Sequence, residues 1–273
     1  MVKKLFKHEF WSYWRIMGIV YLILLTVATA GRIIQFFEND GIAYEIVFSI
    51  SCVTYGICVA ATLGFGFVLG IIRFYKHLFS AEGYLTLTLP VTPSQHIWVK
   101  AATAVGVQLV TILVILLSGC VITAGEMLSE IWKAAAYLLG KAYEAIGWQS
   151  IVFGCEIVAL YILGMFAGIM LYYTFISIGQ LFKKHRILAA VGAYFVYYIA
   201  SQVVSTILVV VISILSMSGA LDGFFVWLVE LSQHHPHILT HGTIWVCALL
   251  PLAAIWVEFL IIRGIVSRKL NLE

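Results

Sequence analysis

Six long apolar runs constrain this chain more than anything else in it: Ile16–Phe37, Ile46–Ile72, Ile97–Gly125, Ile151–Ile178, Ile187–Met217 and Thr243–Ile262. Crossing the roughly 30 Å hydrocarbon core of a bilayer takes about 20 apolar residues in a helix, and each run is long enough. Lipid offers the backbone no hydrogen-bond partners, so only helices and closed barrels can span it. The runs lack the apolar–polar alternation of barrel strands. The expected fold class is therefore an all-α polytopic membrane protein with six transmembrane helices, an N-terminal interfacial helix and short outer helices. Composition agrees: 63% of the 273 residues are hydrophobic and 11% charged, against about half and a quarter in soluble domains. Several runs exceed a straight crossing, which predicts tilt or extension past the interface.

The basic start (Lys3, Lys4, Lys7) and the small residues Ala28–Ala30 invite a signal-peptide reading. The stretch LFKHEFWSYW that precedes the apolar run is long and aromatic, unlike the short basic start of a signal peptide, so the first span is read as uncleaved. The five cysteines (Cys52, Cys58, Cys120, Cys155, Cys247) all fall within predicted spans, none in CxxC spacing. They read as apolar packing residues.

Orientation follows from Lys and Arg. With both termini in the cytoplasm, the basic residues cluster inside at Lys3, Lys4, Lys7 and Arg15, at Arg73, Lys76 and Lys100, at Lys183, Lys184 and Arg186, and at Arg263, Arg268 and Lys269. Only Arg32, Lys133 and Lys141 fall outside. Topology thus accounts for the basic residues, and the net charge of +3 gives no reason to expect a nucleic-acid partner. The predicted organisation is an interfacial amphipathic helix at 1–15, a transmembrane domain at 16–262 and a cytoplasmic tail at 263–273. Within that domain lie a cytoplasmic loop at 73–96 and outer helical segments at 126–150 and 218–242. Phe6, Phe10, Tyr13 and Trp14 fall at helical spacing in the first of these pieces, as expected of a helix at the membrane surface.

Several polar residues are candidates for function. Glu156 and Glu258 are acids within predicted spans, where ionisable groups are costly; each also lies near a span end, where a structural role is equally open. Gln108 and Gln202 fit interhelical hydrogen bonds. His234, His235, His237 and His241 cluster outside, and Pro236 could open a helix that puts His237 and His241 on one face, a spacing suited to zinc or copper. A short polar loop is the plainer account of the same histidines. No HExxH, GxSxG or paired intramembrane Asp is present, so the chain is not expected to be an enzyme.

The cytoplasmic loop is the most unusual segment. Span two can continue as helix towards Ala81, with Gly83 suited to end it. Thr92, Pro93 and Gln95 form a capping-box start for span three. Between them an apolar tip is expected at Leu78, Phe79, Tyr84, Leu85, Leu87 and Leu89. Exposed apolar groups in this number call for a covering surface, either a partner or the chain's own helices.

The same residues carry a resemblance. FYKHLFSAEGYLTLTLPVTPSQHIWVK resembles the cytoplasmic loop of membrane (permease) subunits of export-type ABC transporters of Gram-positive bacteria. The matching positions are Leu78, Phe79, Ser80, Glu82, Gly83, Tyr84, Leu85, Leu87, Leu89, Pro90 and Val91, and the ending RKLNLE is similar too. The resemblance implies a six-span permease in the bacterial plasma membrane, working with a second permease, identical or paralogous. It also implies that the loop couples the spans to separate ABC ATPase subunits through His77, Leu78, Phe79, Glu82, Tyr84, Leu85, Leu87 and Pro90. The chain has no GxxxxGK[ST] phosphate loop, so ATP and Mg belong to the partner and no cofactor is expected here. An amphipathic peptide, drug or lipid-like molecule is the expected substrate. Two other readings stand beside it: a non-transporting membrane scaffold or sensor, and a secondary transporter or metal channel using the outer histidines. GxxxG pairs at Gly66/Gly70 and Gly164/Gly168 would permit close helix contacts.

Overall fold

The computed structural model describes residues 2–37, 41–80, 91–182 and 184–268, and all regular structure among them is helical. The helices are α1 (Val2–Gln35), α2 (Ile42–Phe79), α3 (Pro93–Ile122), α4 (Glu126–Ile146), α5 (Gln149–Gly179), α6 (Arg186–Met217), α7 (Asp222–His234) and α8 (Pro236–Arg268). All but α4 and α7 are long and apolar enough to cross a bilayer. The chain is a polytopic all-α membrane protein.

Two compact units divide it, one within Met1–Leu138 and the other within Leu139–Asn271. In the first, α1, α2 and α3 all pack against one another. Helix α1 buries Glu9, Tyr13, Met17, Tyr21, Leu24, Ala28 and Gly31. These recur every three or four residues and form one face. Tyr13, Met17 and Tyr21 meet Leu69 of α2 and Val107 of α3 in an apolar cluster. The closest approach is at Gly66, where a Cβ would stand 3.1 Å from Met17 Cε; at Gly70 a Cβ would make ordinary contact, 3.6 Å from the Tyr13 hydroxyl. This GxxxG pair therefore serves packing inside the unit. Tyr21 and Thr111 share a hydrogen bond of 2.7 Å across α1 and α3.

The amino-terminal residues do not form a separate helix. They run without a break into the first span, because Val2–Met17 contains no glycine or proline to interrupt it. Phe6, Phe10 and Trp14 stack in succession along this stretch. At the other predicted boundary the capping box forms: Thr92 Oγ1 accepts from the Gln95 amide at 3.4 Å, and Gln95 Oε1 accepts from the Thr92 amide at 3.1 Å. Pro93 follows at the first helical position, where its missing N–H costs nothing.

In the second unit α5 packs against both α6 and α8, and α7 packs against α8. The turn from α5 to α6 is tight. A Cβ on Gly179 would lie 2.6 Å from the Arg186 carbonyl oxygen, so only glycine fits. Helix α6 buries none of its residues, and Gly164 and Gly168 of α5 face open space. Pro236 does open a helix, which continues through the sixth span, so that span begins before the predicted Thr243. The segments 126–150 and 218–242 contain the helices α4 and α7.

A candidate coupling site in the first unit

Helix α2 ends at Phe79 and α3 starts at Pro93. Of the predicted coupling residues, Glu82, Tyr84, Leu85, Leu87 and Pro90 lie outside the described residues, as do Gly83 and Leu89. The remaining three are on α2. Leu78 and Phe79 are buried rather than exposed at a tip. They extend the face of α2 that already buries Gly66, Leu69, Gly70, Arg73 and Phe74, and Phe79 meets the Phe74 ring edge-on at 5.8 Å.

His77 belongs to a buried polar cluster that joins all three helices. Glu9 of α1 lies at its centre. Its Oε2 accepts from Arg73 Nη2 of α2 at 2.9 Å, and its Oε1 accepts from Lys100 Nζ of α3 at 2.7 Å. Arg73 Nη1 also donates to Ser12 Oγ at 2.8 Å, and the guanidinium lies over the Tyr13 ring, 4.4 Å from its centroid. His77 Nδ1 is 2.9 Å from Lys100 Nζ and 3.1 Å from Glu9 Oε1.

Among the described residues the cluster contains one carboxylate, Glu9, which pairs with both Arg73 and Lys100. One turn before Lys100, the His96 ring is 1% exposed, and neither nitrogen has a hydrogen-bond partner among the described residues. Buried charges held this way fix the relative position of the helices that carry them, since any shift leaves a charge unpaired in a low-dielectric setting. The arrangement contains no nucleophile–base pair. What it does is mechanical: it locks the end of α2 and the start of α3 to α1, on either side of segment 81–90.

The other candidates are scattered. Glu156 Oε2 pairs with His241 Nδ1 at 2.6 Å, with the Phe153 ring edge-on to the imidazole at 6.4 Å. Glu156 is thus tied to α8. His234 and His235 are exposed, and His237 and His241 are half-buried. Among the described residues no three His, Cys, Asp or Glu come together as a metal site. Gln108 is half-buried and Gln202 exposed. Neither forms the interhelical hydrogen bond expected of it among the described residues. Glu258 is buried in α8.

Sequence reasoning missed Glu9, Arg73 and Lys100 as a group. One signal was present: Glu9 is the only acid before Glu38, in a segment with three lysines. It is also in helical phase with Tyr13 and Met17, which points it inward. Compared with known proteins, the chain matches no family model, no curated protein and no solved structure.

Proposed function

We propose that the chain is the permease subunit of an ATP-driven exporter, coupled to separate ATPase subunits through the segment between α2 and α3. The observation that carries this reading is the Glu9–Arg73–His77–Lys100 cluster. Segment 81–90 is anchored at both ends on helices that are tied to each other and to α1. A displacement imposed on the segment therefore reaches three spanning helices together instead of dissipating in a loose loop. The motif shared with export-type permeases, centred on Glu82, Tyr84 and Leu85, supplies the kind of partner. Its ATP-bound and ATP-free states would favour different permease conformations, which is the only way ATP on a partner can move this chain. Two permeases would form the path.

Affinity purification of tagged chain from native membranes in mild detergent, followed by mass spectrometry, tests the reading. A near-stoichiometric ATPase with a phosphate loop is expected. Tyr84→Ala with Leu85→Ala should remove it while the chain still inserts. A chain that purifies alone in several detergents would overturn the proposal and favour a scaffold or channel.

A further inference from the structure

The second unit holds a cavity of about 970 Å³ between α5, α6 and α8. Its origin is in the packing: α6 and α8 each rest on α5 but scarcely on each other. Their facing walls are built from small residues, among them Ala189, Gly192 and Ala193 of α6 and Ala253 and Ala254 of α8. The volume is near the top of the range of about 300–1,000 Å³ usual for small-molecule pockets.

The lining is apolar and aromatic apart from Thr174, Tyr197 and one ionisable side chain, Glu258. The Thr174 hydroxyl is engaged with the Met170 carbonyl at 2.9 Å. Glu258 is 7% exposed, and its Oε2 is buried without a hydrogen-bond partner among the described residues. A carboxylate in an apolar setting carries a large desolvation penalty unless a cation or donors meet it. A lipid tail or an apolar helix could fill the volume, but neither would supply that partner. An organic cation with an apolar body answers both requirements at once, and the rings of Phe175 and Tyr197 on the wall add attraction for positive charge.

We propose that this cavity is a binding site for lipophilic cations, with Glu258 as the counter-charge. The assignment goes beyond the exporter reading and does not depend on it, because binding needs no ATPase.

Tetraphenylphosphonium and tetraphenylborate make a decisive probe pair, alike in size and shape and opposite in charge. Equilibrium dialysis against the purified full chain in an uncharged detergent should give saturable tetraphenylphosphonium binding and at least tenfold weaker tetraphenylborate binding. Glu258→Gln should weaken the phosphonium at least tenfold and narrow the gap between the two ions, whereas Glu156→Gln, which alters the acid paired with His241, should leave both unchanged. Ala254→Leu, which keeps the acid and crowds the cavity wall one turn before it, should also weaken phosphonium binding. Equal binding of the two ions would overturn the proposal. So would undiminished phosphonium binding by either Glu258→Gln or Ala254→Leu.

Discussion

Replacing Glu9 with Gln preserves shape and removes one charge, which makes it a sharp test of the buried cluster. The Arg73, Glu9 and Lys100 side chains are 9%, 6% and 4% exposed. The small values of exposed ion pairs, about 0–1 kcal/mol, therefore do not apply. Removing the charge takes away the carboxylate that Arg73 and Lys100 both pair with, and breaking a buried pair in this way costs about 3–5 kcal/mol. For a domain of this size each kcal/mol is worth about 2–4 °C, so a fall on the order of 10 °C is expected. Thermal unfolding in mild detergent, followed by tryptophan fluorescence, reads it directly. The internal control is Lys133→Ala on α4, which removes a pair of the same 2.7 Å length to Glu130 whose side chains are 69% and 70% exposed. It should shift the transition by no measurable amount. If Glu9→Gln shifts it no more than the control does, the cluster does not brace the three helices and the mechanical argument fails.

Gly179→Ala should be severely destabilising, since the added methyl would meet the Arg186 carbonyl at 2.6 Å with only backbone to yield; loss of monodisperse protein on size-exclusion chromatography is the readout, and a normal profile would refute the tight turn. Breaking the 2.6 Å Glu156–His241 pair by His241→Ala should cost about 1 kcal/mol, in line with polar contacts inside membrane proteins. Zinc should not stabilise the wild-type chain in the same thermal assay, and a zinc-dependent rise lost in His237→Ala/His241→Ala would restore the metal-site reading of these histidines.

Features set by local physics were legible in the sequence. The length of each apolar run is a statement about bilayer thickness, and the Thr92–Gln95 cap closes within a single turn. Pro236 likewise announces a helix start from its own ring geometry. Features that join distant segments were not legible. Glu9 meets Arg73 and Lys100 across 64 and 91 residues, and the inside bias of Lys and Arg had already given both cations a sufficient explanation. The covering surface of Leu78 and Phe79 was left open in the sequence for a related reason. Their apolarity was plain, but whether an apolar residue at a helix end faces a partner or its own bundle depends on where the other helices run. Glu156 and His241, 85 residues apart, belong to the same class.

Helix α2 has 38 residues, about 57 Å at 1.5 Å per residue, nearly twice the roughly 30 Å that hydrocarbon occupies. Measured from Ile42, Arg73 lies about 46 Å along the axis. A rod this long, closely fitted to its neighbours at Gly66, about 36 Å along the axis from Ile42, works as a lever that pivots there. A tilt of about 10° about that point carries the Arg73–His77 end sideways by only a few ångströms, while the ion cluster makes α1 and α3 travel with it. Small rotations deep in the bilayer and small displacements at the loop are then one motion seen from its two ends.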